Sequence, residues 1–173
     1  TITNSYSSSN VIAGGTYGGL GYGAGGLIGY LEINSGNVTN TYALGSVQGN
    51  KFVGGLIGNA YTPGTISNSY SSGAVIGYSS VGGLVGDFAY GTIQNSFWDT
   101  ATSGTSIAIG SGGSAPGITG GTFNGIIAGS LAAYDTYNVQ TWNISKPVST
   151  TSTPPSSTWF IFDVPPLPLL MLE

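Results

Sequence analysis

One phrase recurs along the first part of the chain at a nearly constant distance. It consists of an aliphatic residue, Asn two places later and an aromatic residue two places after that, and it occurs at 2–6, 38–42, 66–70 and 93–97. The last three Asn residues are 28 and 27 residues apart. A second phrase, Gly-Gly-Leu followed by Ile or Val and Gly, recurs with it at 25–29, 54–58 and 82–86. Periods of this length indicate repeat architectures such as solenoids.

The alternation inside the phrase favours β-strands. In 66–70, a period of two places Ile66, Asn68 and Tyr70 on the inner face and Ser67 and Ser69 on the outer face. The chain has 31 glycines and lacks apolar residues at the helical period, which excludes a helical solenoid. The predicted fold is therefore all-β: a parallel β-solenoid of about four coils of ~28 residues, each with about three short strands.

Stacking explains why so few residues are charged. Equivalent residues of successive coils would lie about 4.8 Å apart, so a repeated charge would face its own copy and destabilise the stack. Only 5% of the residues are charged, whereas stacked amides and aromatic rings stabilise such an arrangement. We expect an amide ladder, an aromatic ladder and a leucine ladder, formed by Asn4, Asn40, Asn68 and Asn95, by Tyr6, Tyr42, Tyr70 and Phe97, and by Leu27, Leu56 and Leu84.

The small polar residues on either side of each Asn are predicted to form a regular outward row. The row comprises Thr39, Thr41, Ser67, Ser69, Gln94 and Ser96. It is either a solvated β-face or a binding face for sugars or for ice. A second group consists of tyrosines beside the Gly-Gly-Leu phrases, which would either stack on glycans or cover the glycine-rich corners: Tyr17, Tyr22, Tyr30, Tyr61, Tyr78 and Tyr90.

Composition excludes several kinds of chemistry. Cys and His are absent, which removes disulfides, thiol nucleophiles, the usual zinc sites and imidazole-dependent triads. Two lysines and a formal net charge of −4 argue against nucleic-acid binding. Gly and Pro interrupt every apolar stretch before it reaches the ~18 residues of a membrane-spanning helix, so no membrane insertion is expected. The scattered acidic residues predict no metal site, and we expect no cofactor.

The carboxylates are the remaining candidates for catalysis, because paired carboxylates hydrolyse glycosidic bonds. Asp87 occupies the place that Asn59 and Tyr30 fill in other repeats, which predicts a turn residue. Asp99 is interpreted as a hydrogen-bonding residue at a turn or strand end. Neither lysine lies near these positions in the repeat register, so we predict no catalytic residue and no enzyme. A carbohydrate-active β-helix enzyme and an ice-binding β-solenoid stay as alternatives.

The repeated phrases resemble a known motif. The segments "VGGLIG", "GTISNSYSSGAVIG" and "VGGLVG" are similar to the GLUG motif of bacterial surface and secreted proteins, including filamentous-haemagglutinin-like adhesins, and "NSFWDTATSG" resembles the phrase that closes such repeats. The resemblance covers about residues 1–104 and implies an extracellular or cell-surface β-solenoid stalk. It implies a host-surface or biofilm glycan or protein as partner, and neighbouring repeats of a longer chain. The absence of an initial Met agrees with a segment of a larger protein.

A change of composition predicts the domain organisation. All glycines lie between Gly14 and Gly129, and six of the eight prolines lie at 147 or later. We expect β-solenoid repeats over 1–104, an irregular coil or loop over 105–130 and a capping segment over 131–173. The cap would contain a short helix within 124–139 and strands within 139–145 and 157–164, and would cover the last coil with apolar side chains, namely Trp142, Trp159, Phe160 and Phe162.

Overall fold

The computed structural model describes residues 1–14, 23–32, 36–61, 64–113, 117–121, 144–145, 159–161 and 168–170. In these residues the chain winds into a parallel β-solenoid, because the short strands of each coil pair in parallel with equivalent strands of the next. Three coils are complete and a fourth is partial. The all-β parallel β-solenoid expected from the sequence is confirmed.

The first coil contains β1 (Ile2–Ser7), β2 (Val11–Ile12), β3 (Ala24–Gly25) and β4 (Ile28–Leu31). The second contains β5 (Val38–Ala43), β6 (Val47–Gln48), β7 (Lys51–Gly54) and β8 (Ile57–Ala60). The third contains β9 (Thr65–Ser67), β10 (Tyr70–Ser71), β11 (Val75–Ile76), β12 (Ser79–Gly82) and β13 (Val85–Phe88). The partial fourth coil contains β14 (Thr92–Gln94), β15 (Ser96–Asp99), the helix α1 (Thr100–Ser103) and β16 (Ile109–Gly112), and β17 (Ile118–Gly121) follows it.

The strands of the solenoid form four parallel sheets. Sheet A joins β1, β5, β9, β10, β14, β15 and β17; sheet B joins β2, β6 and β11; sheet C joins β3, β7 and β12; and sheet D joins β4, β8, β13 and β16. The register follows the sequence repeat, since Ile2 lies opposite Val38, Val38 opposite Ile66, and Ile66 opposite Ile93. Equivalent residues of the repeated phrase therefore stack directly on one another.

Each complete coil has four strand positions, so the expectation of three strands per coil is wrong. The additional break lies at the Gly-Gly-Leu phrase, where the chain bends between β7 and β8. A side chain at Gly54 would overlap the carbonyl oxygen of Ile57, and one at Gly25 would overlap that of Ile28. Only glycine fits this reversal, and the phrase thus joins two short strands rather than lying inside one.

The core is filled by the aliphatic positions of the repeat. Leu56, Ile57, Leu84 and Val85 are fully buried, and they belong to one apolar cluster together with the aliphatic residues of sheet A. A smaller cluster, built around Val47, lies between sheets B and C. Burying such side chains stabilises the fold by about 1.5–3 kcal/mol each, which makes the repeated aliphatic residues the main source of stability.

Most of the extra residues of the first coil lie at one place. Val11 pairs with Val47, 36 positions later, whereas Ala24 pairs with Val53, only 29 positions later. Seven additional residues therefore lie between Val11 and Ala24. Leu27 occupies the leucine position of this coil, because its amide bonds to the carbonyl oxygen of Leu56.

The stack continues beyond residue 104, where the sequence repeat ends. β16 pairs with β13 and β17 pairs with β15, both in parallel. The four-residue helix α1 follows β15 in the place where a strand of sheet B follows in the complete coils. Within 105–130, the described residues thus include two strands that pair with earlier strands of the solenoid.

The C-terminal segment contributes a separate three-stranded sheet. β18 (Ile144–Ser145) pairs in parallel with β19 (Trp159–Ile161), which pairs in antiparallel with β20 (Pro168–Leu170). β18 and β19 lie within the two segments expected to be strands. The expected helix within 124–139 and two of the expected capping side chains, Trp142 and Phe162, lie outside the described residues. No helix among the described residues is long and apolar enough to cross a membrane.

Candidate functional site

The four repeated Asn residues bend sheet A. Asn4, Asn40, Asn68 and Asn95 have φ angles of 49°, 55°, 48° and 47°. These angles lie in the left-handed region, which Asn tolerates better than most residues because its short side chain forms local hydrogen bonds. The bend separates β9 from β10 and β14 from β15. A left-handed residue interrupts the simple alternation of a strand, so the face of the residue that follows it cannot be assigned by counting.

The residue after each Asn faces inward, which corrects half of the predicted outward row. Thr41, Ser69 and Ser96 are fully buried, because the left-handed Asn turns the following side chain towards the interior. Their hydroxyls are satisfied there: Ser69 Oγ donates to the carbonyl oxygen of Ser67 at 2.8 Å, and Ser96 Oγ donates to that of Gln94 at 2.8 Å. The hydroxyls of Thr41 and Ser69 also hydrogen bond across coils at 3.0 Å.

The residues before the Asn positions form the outward row that remains. Thr39 and Ser67 are partly exposed, Gln94 is exposed, and the first coil adds the exposed Thr3. The hydroxyl oxygens of Thr39 and Ser67 lie 3.2 Å apart and share a hydrogen bond. These two neighbours in the row therefore bond to each other as well as facing solvent. We call Thr3, Thr39, Ser67 and Gln94 the outer row.

The amide side chains connect three successive coils. Asn40 Nδ2 donates to Asn4 Oδ1 at 3.1 Å, and Asn68 Nδ2 donates to Asn40 Oδ1 at 3.4 Å. The amides lie at the surface rather than deep inside, since Asn4 is exposed and the other two are partly exposed. This corrects the expectation that Asn68 shares the buried face with Ile66 and Tyr70. Asn95 continues the series in sequence and also has a left-handed φ angle.

The aromatic residues form a stacked column beside the amides. The ring centroids of Tyr6 and Tyr42 lie 5.0 Å apart and those of Tyr42 and Tyr70 lie 5.1 Å apart, with interplanar angles of 11° and 7°. Phe97 is in register with Tyr70. Exposure falls from 48% at Tyr6 to 4% at Tyr42 and 0% at Tyr70 and Phe97. Burial, and secondarily the neighbouring Tyr6, raises the pKa of the Tyr42 hydroxyl above its usual range.

The leucine positions form the innermost column. Leu56 and Leu84 are fully buried, whereas Leu27 in the first coil is partly buried. Backbone hydrogen bonds connect them, because the amides of Leu27 and Leu56 donate to the carbonyl oxygens of Leu56 and Leu84. The column thus joins the Gly-Gly-Leu bends of successive coils.

Trp98 is a buried residue whose role the sequence reasoning missed. The position after the stacked aromatic is small in the complete coils, with Ser7, Ala43 and Ser71 in register, and Trp98 occupies it in the fourth. Its ring leaves no room for a side chain at Gly83. Its Nε1 donates to the carbonyl oxygen of Thr105 at 3.1 Å. The available sequence signal was the large Trp at a position that is occupied by Ser or Ala in the complete coils.

Two of the described carboxylates, Asp99 and Asp87, have structural partners. Asp99 is 2% exposed and caps α1, where its Oδ1 accepts from the amides of Ala101 at 2.9 Å and Thr102 at 3.4 Å. This agrees with the expected hydrogen-bonding role at a strand end. Asp87 lies inside β13, so the expected turn is wrong, and it accepts a short hydrogen bond from Ser111. Its register partner is Asn59, as the sequence spacing predicts.

Of the other four carboxylates, one lies among the described residues and three lie outside them. Glu32 is exposed, and Asp135, Asp163 and Glu173 lie outside the described residues. Within the described part, no three His, Cys, Asp or Glu residues are grouped where a metal ion could bind.

The described surface tyrosines are unevenly exposed. Tyr78 is 94% exposed, and Tyr61 and Tyr90 are 51% and 60% exposed. The rings of Tyr61 and Tyr90 form an edge-to-face pair with centroids 6.3 Å apart. Tyr30 is partly exposed and lies in β4. Tyr17 and Tyr22 lie outside the described residues.

Comparison with known proteins identifies one repeat. No curated protein and no solved structure matches the chain. Residues 49–76 match the family model described as the GLUG motif. In the structure this segment runs from the end of β6 through β7, β8, β9 and β10 to the end of β11, which is one turn of the solenoid. The chain therefore carries a GLUG motif, and the motif corresponds to one coil of a β-solenoid.

Proposed function

We propose that this chain is a non-enzymatic, structural and adhesive β-solenoid segment of a secreted or surface-displayed bacterial adhesin. The observation that carries the proposal is that the repeated side chains form contacts between successive coils. The amides of Asn4, Asn40 and Asn68 hydrogen bond across coils, as do the hydroxyls of Thr41 and Ser69, and the tyrosine rings of successive coils stack on one another. A repeat whose polar groups hold coils together builds a regular rod, which suits a stalk.

The positions of two carboxylates support a non-enzymatic role. Asp99 is buried and bound to the backbone amides that begin α1. Asp87 is bound to Ser111 in the neighbouring strand. Glycoside hydrolysis needs two carboxyl groups facing a substrate about 5–10 Å apart, and a buried capping carboxylate does not face a substrate. These contacts favour a structural role over the alternative of a carbohydrate-active enzyme.

The outer row and the surface tyrosines are the proposed contact surfaces for a glycan or protein of a host surface or biofilm. The outer row presents uncharged hydroxyl and amide groups at the regular spacing of the coils, and such groups hydrogen bond to sugars. The alternative of ice binding is less favoured, because three of the six predicted outward residues, Thr41, Ser69 and Ser96, are fully buried. The remaining row ends with Gln94, which carries an amide where the other three residues carry a hydroxyl.

A display experiment tests the adhesive role. The chain is displayed on a non-adherent bacterium and the cells are scored on glycan and matrix-protein arrays. We expect adhesion above that of cells without the chain, and a loss of adhesion when Gln94 of the outer row is changed to Arg. The matched control is Gln48→Arg, because Gln48 is also exposed but lies in sheet B. Adhesion equal to that of cells without the chain would contradict the proposal.

A localisation experiment tests whether the protein is secreted or displayed on the cell surface. Antibodies against the chain should label intact cells of the source bacterium or detect the protein in its medium. Detection only after cell lysis would contradict a secreted or surface-displayed protein.

A further inference from the structure

Three exposed side chains lie at one end of sheet D in three successive coils. The strands β4, β8 and β13 are neighbours in this sheet. Glu32 and Tyr61 directly follow β4 and β8, and Tyr90 follows β13 after one intervening residue. Glu32 is exposed, and Tyr61 and Tyr90 are 51% and 60% exposed. We call these three side chains the aromatic corner.

Backbone pairing brings Glu32 next to Tyr61. Leu31 is in register with Ala60, and the amide of Tyr61 donates to the carbonyl oxygen of Leu31 at 3.1 Å. The parallel ladder thus continues one residue past the two strands, which places the Cα atoms of Glu32 and Tyr61 about 4.8 Å apart. Because Leu31 and Ala60 are buried, the residues that follow them lie on the outer side. A carboxylate therefore accompanies the ring of Tyr61 at the same surface.

The ring of Tyr90 forms an angle with that of Tyr61 rather than a stack. The amide of Ala89 donates to the carbonyl oxygen of Ala60 at 3.0 Å, so the residue level with Tyr61 is Ala89 and Tyr90 is offset by one position. The two tyrosine rings accordingly meet at 80° with centroids 6.3 Å apart. The tyrosines of the aromatic column, which are in register, are instead nearly parallel.

The backbone on the other side of Tyr90 is also held by the neighbouring coil. The amide of Thr92 donates to the carbonyl oxygen of Gly64 at 2.9 Å. Between Tyr90 and Thr92 lies Gly91, whose φ angle of 111° is in the region that favours glycine. Hydrogen bonds between coils thus fix the backbone on both sides of Tyr90, and the angle between the rings belongs to the folded solenoid.

Two perpendicular exposed rings beside a carboxylate suit a quaternary ammonium group. Cations are attracted to the face of an aromatic ring within about 6 Å of its centroid, and cages of such rings recognise choline and methylated lysine. With centroids 6.3 Å apart, a cation resting in the angle contacts both rings. A primary ammonium is more strongly hydrated, and a sugar ring stacks on a flat aromatic face rather than in an angle.

We propose that the aromatic corner binds the quaternary ammonium group of a choline-type ligand. The two rings contact the methyl groups, and the carboxylate of Glu32 balances the positive charge. The formal net charge of −4 also attracts a cation. This proposal rests on the proposed contact role of the surface tyrosines and names the chemical group that they recognise. The adhesion test with Gln94→Arg concerns the outer row, so its failure is distinguishable from failure of the aromatic corner.

A titration with choline tests the aromatic corner in the full chain. The ring signals of Tyr61 and Tyr90 are followed by NMR in protein with labelled tyrosine. The comparison ligand is the neutral isostere of choline, in which a tert-butyl group replaces the trimethylammonium group. We expect saturable shifts of both ring signals with millimolar choline and binding of the isostere at least about tenfold weaker. Equal affinity for the two ligands, or no saturable shift with choline, would overturn the proposal.

Substitutions assign the binding to these side chains. Glu32→Gln should weaken choline binding by about threefold, the effect of removing one exposed charge partner, and Tyr61→Leu by about fivefold, through loss of one ring face. The matched control is Tyr78→Leu, because Tyr78 is 94% exposed but precedes β12 in sheet C, and it should bind choline as the unchanged protein does. Equal losses in Tyr61→Leu and Tyr78→Leu would overturn the assignment.

Vesicle binding distinguishes the sources of the group. Sedimentation with phosphatidylcholine vesicles but not with phosphatidylethanolamine vesicles, prevented by free choline, supports the proposal and assigns a lipid headgroup. Binding of free choline without vesicle binding supports it equally and assigns a soluble or polymer-borne ligand. If the neutral oligosaccharide maltotetraose shifts both ring signals at lower concentrations than choline does, the proposal is overturned in favour of a neutral glycan.

Discussion

The third and fourth coils have equivalent strands in sheet A but differ at one buried position of these strands. Both place an aromatic residue on the stacked column, Tyr70 in one and Phe97 in the other. The next residue is Ser71 in the third coil, where its hydroxyl donates to the carbonyl oxygen of Gly83 at 2.7 Å, and Trp98 in the fourth, where a large ring packs against Gly83. A small residue leaves room for the glycine bend of a further coil, whereas the indole fills that room.

This difference distinguishes residues that repeat from coil to coil from residues that interrupt the repeat in the fourth coil. Residues that stack on their own copies, such as Asn and Tyr, allow coils to be added without limit. The helix α1, capped by Asp99, takes the place of the fourth coil's strand in sheet B. It is fastened to the third coil, because Thr102 Oγ1 donates to the carbonyl oxygen of Ser72 at 2.6 Å. The following predictions test this comparison.

The largest effect is expected for Trp98→Ser, which gives the fourth coil the residue of the third. Trp98 is 7% exposed within the main apolar cluster, and removal of such a ring costs about 3–5 kcal/mol because it leaves a cavity. Urea unfolding measures the loss. The matched change Ser71→Ala should cost only about 1 kcal/mol, since it removes one hydrogen bond. Similar losses for the two variants would contradict a special role for Trp98.

Gly83→Ala should cost about 1–3 kcal/mol by overpacking. A Cβ at Gly83 would overlap the ring of Trp98, and no other atom comes as close. The cost should therefore largely disappear in the Trp98→Ser background, and a double-mutant cycle by urea unfolding measures this coupling. Additive losses would show that another contact restricts Gly83.

Asp99→Ala should cost about 1 kcal/mol, the usual effect of removing a helix N-cap. Asp99→Asn is the control, because the amide oxygen can still accept from the amide of Ala101. The free energy of unfolding of both variants is measured in urea. Equal losses would point to the charge of Asp99 rather than to capping.

The smallest effect concerns the repeated coils at alkaline pH. Burial and the neighbouring Tyr6 raise the pKa of Tyr42 above the unfolded value of 10.0, so the unfolded chain loses this proton first. The resulting stability is present below pH 10 and is lost as the pH rises through the folded pKa. Tyr42→Phe should reduce this alkaline loss in urea titrations, whereas Tyr78→Phe should not, because Tyr78 is 94% exposed. Equal alkaline loss in wild type and Tyr42→Phe would contradict the prediction.

The sequence predicted the solenoid well because its repeat is a property of the fold itself. Equivalent positions such as Val38 and Ile66 must pair when coils stack, so the spacing of the phrases gives the register. The inward position of Ser69 could not be obtained by alternation, because it depends on the left-handed φ angle of Asn68. The tolerance of Asn for this conformation was the one available signal.

Other differences arose from backbone geometry that residue types do not reveal. The bend at Gly54 and Gly55 makes a fourth strand position, although the phrase also fits a single strand with glycines. Asp87 lies in a strand rather than a turn because its register with Asn59 extends β13 beyond the glycine phrase. The outer row thus contains fewer of the predicted residues than the sequence suggested, and more of the polar side chains form contacts between coils.

The central claim is that each repeated phrase stacks in register on the next, and a disulfide tests it directly. The chain has no cysteine of its own. In the double variant Thr39→Cys and Ser67→Cys, the thiols replace hydroxyls whose oxygens lie 3.2 Å apart, and paired strands about 4.8 Å apart satisfy the geometry of a disulfide.

The control pair combines Thr39→Cys with Gln94→Cys, two coils apart in the same row. We expect complete oxidation of the first pair under mild air oxidation and no intramolecular disulfide in the control, as measured by the intact mass. A reduced Thr39–Ser67 pair, or equal oxidation of both pairs, would contradict the stacked register.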